Sequence, residues 1–283
     1  MRDIPYELCD VFTDRPLTGN ALAVFTDAEH LDGATMQALA RETNLSESAF
    51  VLRPTSPVAD ARIRIFTPTM ELPFAGHPTL GTAFVLGARR GQEEIKLETG
   101  RGIVTVRLSG QAGPARFGWM TQPIPRIEPY RDAGKLVAAL GVPGSKLAIE
   151  LYDNGPHYVF VERESPDEIA ALVPDLAGLA ALGSTAFSVF SRKGRGWKCR
   201  VFAPGEGIAE DPATGAAAGP LAVHLARHGR IAFGEEIVIE QGVEIGRPST
   251  LHARAHGSRQ SLEAVEVGGH ALLVGQGTFR LSV

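Results

Sequence analysis

The sequence has little cysteine, since Cys9 and Cys199 are its only two. Two thiols are too few for a disulfide framework, and their separation excludes a Cys-x-x-Cys redox or metal motif. We therefore expect two unpaired thiols in the protein interior, the usual environment of free cysteine.

Long apolar runs and an excess of one charge are also missing. No stretch of 18 apolar residues occurs, and the first residues lack a basic segment followed by an apolar one. We expect a cytoplasmic protein without a membrane partner. The net charge of −4 and the lack of basic runs leave no face for a phosphate backbone, so nucleic acid is not an expected partner.

Several motifs of known chemistry are absent. The chain has no GxSxG elbow, no GxxxxGK[ST] loop and no GxGxxG after a strand, which argues against hydrolase, nucleotidase and dinucleotide-dependent activities. His224 and His228 have the i, i+4 spacing of a metal site, but the glutamate of a zinc-protease helix is missing between them. His252 and His256 have no obvious third ligand. We therefore expect no metal.

What the sequence does contain is an internal repeat. The segment RIFTP at 64–68 recurs as RVFAP at 200–204, and the turns at Gly19 and Gly155 are also 136 positions apart. Phe50 and Phe187 differ by 137 positions, and the segment GHPTLG at 76–81 matches EDPATG at 210–215. Four landmarks in one order at a nearly constant offset indicate a duplicated unit of about half the chain.

The repeat predicts an α+β protein with two pseudo-symmetric lobes, each a mostly antiparallel sheet wrapped around a central helix. We expect an N-terminal lobe over residues 1–120, to which about the last ten residues can be added, and a C-terminal lobe over 121–283. The prolines of the segment 121–125 suit a linker. Helical patterns run from Leu31 to Thr43, from Pro78 to Leu86 and from Pro212 to Leu225.

The matched turns GHPTLG and EDPATG are the first candidate site. Their leading backbone N–H groups lack helical partners and suit a carboxylate, and a ligand is expected between the two halves. His77 and Asp211 occupy matched places in these turns and would orient polar groups of the substrate. The alternatives are two ordinary tight turns, a structural histidine and a helix N-cap.

Glu47 is the candidate acid/base group. It precedes an apolar strand, and the repeat places Ser184 at the matching position of the second half. The acid is therefore asymmetric, and one group is enough to take a proton from one carbon and return it to another on the same face. A solvated turn carboxylate is the alternative.

The segments together resemble the PhzF family of phenazine-biosynthesis isomerases over nearly the whole chain. The resemblance rests on the segments DVFTDRPLTGNALAVF, NLSESAFVLRP, ARIRIFTPTMELPFAGHPTLGTA, LETGRG, NGPHYVFV, EDPATGAAAGPLAVHLARHG and QGVEIGRPS.

The resemblance implies the fold of diaminopimelate epimerase, a homodimer, and no metal or organic cofactor. It further implies that Glu47 transfers the proton, that His77 and Asp211 lie at the substrate, and that the amides around Gly76 and Gly215 bind it. Thr214 and Ala216 flank Gly215 in this motif, and the family has serine where this chain has Ala216. The two cysteines of the epimerase are absent, because His77 and Asp211 take their places.

The family reaction is the isomerisation of trans-2,3-dihydro-3-hydroxyanthranilate by a proton shift between carbons. Two alternatives stay open. The chain could transfer a proton on another small, amino-acid-like acid, which the alanine at position 216 suggests. It could also be a non-catalytic homologue that binds a carboxylate ligand.

Overall fold

The computed structural model describes residues 2–109 and 115–281. Contacts divide the chain into two compact units, one formed by residues 1–121 with 268–283 and the other by residues 122–267. Helices and strands are mixed in both, so the fold class is α+β, as predicted. Among the described residues, no helix has the length and apolarity to cross a membrane.

The first unit begins with two strands, and its two helices follow the second and the fifth strand. Its elements are β1 (Arg2–Val11), β2 (Asn20–Phe25), α1 (Gly33–Thr43), β3 (Glu47–Leu52), β4 (Ala61–Phe66), β5 (Glu71–Leu72), α2 (Gly76–Arg90), β6 (Glu94–Thr99), β7 (Gly102–Ser109) and β8 (Ala115–Gln122).

The second unit follows a similar order and ends in a long strand that continues into the first unit. Its elements are β9 (Arg126–Pro129), α3 (Ala133–Leu140), β10 (Glu150–Asp153), β11 (His157–Glu162), α4 (Pro166–Ala170), α5 (Leu176–Ala180), β12 (Ala186–Lys193), β13 (Gly196–Ala203), the 3₁₀ turn Pro204–Glu206, β14 (Ile208–Asp211), α6 (Gly215–Arg227), β15 (Ile237–Gln241), β16 (Ser249–Gly257) and β17 (Leu262–Leu281).

Helix α2 is the core of the first unit. Its residues 76–87 are all buried, and it packs against β1, β2, β3, β6 and β7. The helix carries no Asp, Glu, Lys or Arg before Arg89, which is the composition of a helix surrounded on all sides. The strands around it pair mostly antiparallel, with parallel pairs at β2–β3 and β4–β6.

Helix α6 is buried in the same way in the second unit, over residues 215–226, and packs against β16 and β11. Parallel pairs again interrupt an antiparallel order, here at β11–β12 and β13–β15. Each unit therefore surrounds one apolar helix with a sheet.

The predicted helix bounds need correction at their starts. Helix α1 begins at Gly33, after Asp32, whose carboxylate accepts a hydrogen bond from the Thr35 N–H at 2.8 Å. Helix α2 begins at Gly76, earlier than predicted, and α6 begins only at Gly215. Asp211 ends strand β14 and does not cap the helix; Thr214 holds the N-cap position.

Candidate active site

Glu47 and His77 meet inside the first unit. Glu47 is the first residue of β3, opposite Leu22 in the register, and only 7% of its surface is exposed. His77 is the second residue of α2 and 2% exposed. Glu47 Oε2 lies 3.5 Å from His77 Nδ1. The predicted acid is therefore a buried group beside an imidazole, and the alternative of a solvated turn carboxylate is wrong.

The His77 ring is held as a neutral group. Asn20 Nδ2, at the start of β2, lies 3.2 Å from His77 Nδ1. Burial lowers the pKa of His77 to about 3, although a hydrogen bond with the Ala21 backbone acts in the opposite direction. Among the described residues Nε2 of this ring has no hydrogen-bond partner. A bound substrate can supply the hydrogen-bond partner that this buried ring nitrogen lacks.

Asp211 and Thr214 form a second cluster, in the second unit. The Thr214 hydroxyl donates to Asp211 Oδ2 at 2.6 Å, and Asp211 is 4% exposed. Gln241, at the end of β15, donates through Nε2 to the Asp211 carbonyl at 2.8 Å and to Thr214 Oγ1 at 2.9 Å. The side-chain oxygen of Gln241 accepts from the Thr214 N–H at 3.2 Å. The buried side-chain amide of Gln241 thus fixes the segment between β14 and α6 through three hydrogen bonds.

The first carbonyls of α6 are paired with two more buried amides. Pro220 has no N–H, so the carbonyl four residues earlier, that of Ala216, lacks its helical donor. Asn154 Nδ2 supplies that bond at 2.9 Å, and Gln122 Nε2 donates to the Gly215 carbonyl at 2.8 Å. These contacts pair the carbonyls at the helix start, and the N–H groups of Ala217 and Ala218 both donate to the Thr214 carbonyl, at 3.0 and 3.1 Å.

The predicted residues therefore fall into two groups, each within one unit. Gly76 is the first, buried residue of α2, beside His77, and Gly215 and Ala216 are the first two residues of α6, after Asp211 and Thr214. That the two groups serve one substrate stays a prediction.

Sequence reasoning missed four polar side chains that hold these groups in place. All are buried amides, and all lie in segments that carried the family resemblance or in the predicted linker: Asn20, Gln122, Asn154 and Gln241. An amide inside or beside a buried strand must find hydrogen-bond partners, and this was the signal available in the sequence.

Glu150, His224 and His228 could hold a metal ion, since their ligand atoms lie within 4.8 Å of one another. His228 Nε2 is 2.9 Å and His224 Nδ1 is 3.5 Å from Glu150 Oε2, so Glu150 is the third ligand that the sequence spacing lacked. The Tyr152 hydroxyl, however, bonds both His224 Nδ1 and Glu150 Oε2, and Arg227 lies 3.5 Å from the same carboxylate. The Glu150 carboxylate is thus already matched by hydrogen-bond donors and by the charge of Arg227, which favours a structural network over a metal centre.

The two cysteines are not candidate acid/base groups. Both are buried, and burial raises the pKa of both thiols. Cys9 Sγ faces the Leu22 carbonyl at 3.8 Å, and Cys199 Sγ faces Gln241 at 3.5 Å. Thiols with a raised pKa are poor nucleophiles and poor bases.

The family model of PhzC-PhzF, described as phenazine biosynthesis-like protein, matches residues 9–277. The chain belongs to this family. Among curated relatives it is 50% identical over 272 residues to trans-2,3-dihydro-3-hydroxyanthranilate isomerase of Pseudomonas aeruginosa, covering 96% of this chain and 98% of that protein. The protein of the same name from Pseudomonas fluorescens is 49% identical, over 98% of this chain and 99% of its own.

Solved structures agree with the assignment of the PhzF family. A predicted epimerase from Pseudomonas aeruginosa is 34% identical and superposes with a TM-score of 0.83, covering 99% of this chain and 100% of its own. A protein described as a probable proline racemase from Agrobacterium radiobacter, at 12% identity, reaches a TM-score of 0.64 over 99% of this chain and 93% of its own. The latter likeness concerns the fold alone.

Proposed function

We propose that this chain is an isomerase that moves a proton between carbons of trans-2,3-dihydro-3-hydroxyanthranilate, without a metal or organic cofactor. The observation that carries the proposal is the buried Glu47 carboxyl beside a neutral, buried His77, in a chain half identical to isomerases named for this substrate.

Glu47 takes the proton from one carbon and returns it to another on the same face. A positioned carboxylate of this kind contributes about a hundredfold to ten-thousandfold in rate. Its exclusion from water strengthens each electrostatic interaction with the reacting atoms. Because Glu47 has no acidic counterpart at Ser184, a single group performs both transfers.

The other residues bind and orient the substrate. His77 presents Nε2, and Asp211 and Thr214 present a carboxylate and a hydroxyl that are already joined. The backbone N–H groups at Gly76 and at Gly215 lie at helix starts, where the dipole favours a carboxylate or a developing negative charge.

The finer architecture belongs to the same proposal. We infer two pseudo-symmetric lobes of the diaminopimelate epimerase type, since each unit has one buried helix and two parallel strand pairs among antiparallel ones. A homodimer is part of the proposal through the family resemblance, and a cytoplasmic location is part of it through the sequence pattern.

Turnover in heavy water tests this function. Wild-type protein incubated with trans-2,3-dihydro-3-hydroxyanthranilate in D₂O should form product, and any proton that exchanges with solvent should appear as deuterium at one carbon. Glu47→Gln should lower kcat/KM by about a hundredfold or more, because the amide cannot accept the proton. Glu42→Gln, which changes an exposed carboxylate of α1, is the matched control and should keep wild-type activity. Full activity of Glu47→Gln would overturn the role of Glu47.

A second candidate is proton transfer on a different small acid, and Ala216 favours it. This residue is 1% exposed and lacks the hydroxyl that the family carries there. If the dihydro-hydroxyanthranilate is turned over poorly, Ala216→Ser should improve its kcat/KM. Tight carboxylate binding by calorimetry with no deuterium at any carbon would instead indicate a non-catalytic binding protein.

A further inference from the structure

Gln241 is the side chain that links the end of strand β15 to Asp211 and Thr214. It is 2% exposed, so its amide oxygen and its amide nitrogen must find partners in the protein interior. The oxygen accepts from the Thr214 N–H at 3.2 Å and from the Cys199 thiol at 3.5 Å. The nitrogen donates to the Asp211 carbonyl at 2.8 Å and to Thr214 Oγ1 at 2.9 Å. Gln241 thus uses both of its donor hydrogens and both lone pairs of its oxygen.

Two of these partners are backbone groups, and they determine which way the Gln241 amide points. A backbone N–H only donates and a backbone carbonyl only accepts. The oxygen of Gln241 must therefore face the Thr214 N–H, and its nitrogen must face the Asp211 carbonyl. Because that nitrogen has only donor hydrogens, it also meets Thr214 Oγ1 as a donor.

The Thr214 hydroxyl has a fixed direction as a result. A hydroxyl carries one proton, and the nitrogen of Gln241 cannot accept it. Among the described residues the acceptor within reach is Asp211 Oδ2, at 2.6 Å from Thr214 Oγ1. The hydrogen bonds therefore run in one direction, from the Gln241 amide through the Thr214 hydroxyl to the Asp211 carboxyl.

We propose that Gln241 is a positioning residue of the isomerase, which acts through the Thr214 hydroxyl to hold Asp211 Oδ2 as a hydrogen-bond acceptor. The inference rests on the proposed function, in which Asp211 orients the substrate. A carboxylate that bonds a fixed donor loses rotational freedom, and orienting groups must be held within about 0.5 Å of the productive geometry. A proton that reaches Asp211 resides on Oδ1, since Oδ2 accepts the bond from Thr214.

Nuclear magnetic resonance of the free, isotope-labelled protein tests the direction of these bonds. The side-chain amide of Gln241, assigned by its loss in Gln241→Met, has one proton bonded to the Asp211 carbonyl and the other to Thr214 Oγ1. In Thr214→Val the second proton should move upfield and exchange faster with solvent, while the first keeps its bond. Thr214→Ser retains a hydroxyl and should keep both protons hydrogen-bonded. Two unchanged amide protons in Thr214→Val would overturn the proposal.

A double-mutant cycle on kcat/KM shows whether Gln241 acts through the hydroxyl. Gln241→Met should lower kcat/KM by about tenfold or more in the wild-type background. In the Thr214→Val background, where the hydroxyl is already gone, the same change should cost less than about threefold. Thr214→Ser should recover most of the activity that Thr214→Val loses. Gln276→Met, at an exposed position of β17, is the matched control and should keep wild-type activity.

A glutamine with a purely structural role would give a different cycle. Its bonds to the Asp211 carbonyl and the Thr214 N–H remain in Thr214→Val, so Gln241→Met would lower kcat/KM by the same factor in both backgrounds, and this result overturns the proposal. If Gln241→Met does not fold, undiminished activity in Thr214→Val overturns it instead. If wild type fails to turn over the substrate, the proposed function fails, whereas the amide spectrum still shows whether Gln241 bonds the Thr214 hydroxyl.

Discussion

Burial determines what Glu47 and His77 can do. An imidazole in water is half protonated near pH 6.5, whereas the buried ring of His77 has its pKa lowered to about 3. It is therefore neutral across the pH range in which enzymes work, and it lies beside the Glu47 carboxyl as an uncharged ring and not as a cation. The same burial makes the folded protein sensitive to acid.

We expect His77 to lower stability as the pH falls. The unfolded chain binds a proton below pH 6.5 and the folded chain only near pH 3, so stability is lost within this window. Between pH 7 and pH 5 this amounts to about 2 kcal/mol for one such histidine. Urea unfolding at both pH values should therefore show a smaller acid loss in His77→Asn than in wild type.

His224 also contributes to the loss of stability at acid pH. It is also buried with a lowered pKa, so its share of the acid loss should remain in the variant. His157→Asn, which changes an exposed side chain at the start of strand β11, is the matched control and should keep the wild-type difference. Equal acid losses in wild type and His77→Asn would contradict a buried neutral ring.

The sequence predicted the charged residues of the two groups but not the amides that position them. Glu47, His77 and Asp211 were predicted from the repeat and the family segments. Asp211 and Thr214 are three residues apart, so their contact is local. Gln241 lies thirty residues from Asp211 along the chain, and no local pattern shows that its side chain bonds that carbonyl.

The start of helix α6 was predicted wrongly for the same reason, that local sequence does not show hydrogen bonds between distant residues. Pro212 suits the first turn of a helix, and the pattern from that residue onward predicts one. The helix begins three residues later because Gln241 binds the Asp211 carbonyl and Thr214 binds the Asp211 carboxylate. A long-range hydrogen bond from Gln241 and a local one from Thr214 therefore overrule the helix preference of Pro212, and they leave Asp211 at the end of strand β14 before the helix.

The close packing of α2 can be tested at a glycine. A Cβ built on Gly81 would lie 2.7 Å from Leu22 Cδ2, 2.8 Å from Val11 Cγ2 and 3.2 Å from Cys9 Sγ. Gly81→Ala should destabilise the protein by about 1 to 3 kcal/mol, since buried side chains must move. Chemical denaturation measures the change.

Gly134, in helix α3, is the matched control for that substitution. A Cβ built there meets nothing within 4 Å. Gly134→Ala should raise stability by about 0.5 to 1 kcal/mol, because alanine loses less backbone entropy in a helix than glycine does. If Gly81→Ala and Gly134→Ala lowered the free energy of unfolding equally, the change at Gly81 would not reflect the close packing of α2.

The end of the chain completes the unit in which the chain begins. Strand β17 leaves the second unit after residue 267, and its later part pairs with β1 from Ala271 opposite Val11 to Leu281 opposite Arg2. Phe279 of this strand packs against Tyr6, with ring centroids 5.3 Å apart. The first unit therefore acquires its last strand only when the whole chain is available.

Removing residues 275–283 should destabilise the first unit. Strand β1 would lose its β17 partners from Arg2 to Leu8, and hydrogen exchange should show lost protection in β1, β2 and β3. Strands β12 and β13 belong to the other unit and should keep their protection, because their pairing does not involve the deleted segment. Leu273→Ala changes an exposed side chain of β17, leaves the pairing intact and should reproduce the wild-type pattern. Protection lost equally in both units would mean that they unfold as one cooperative body.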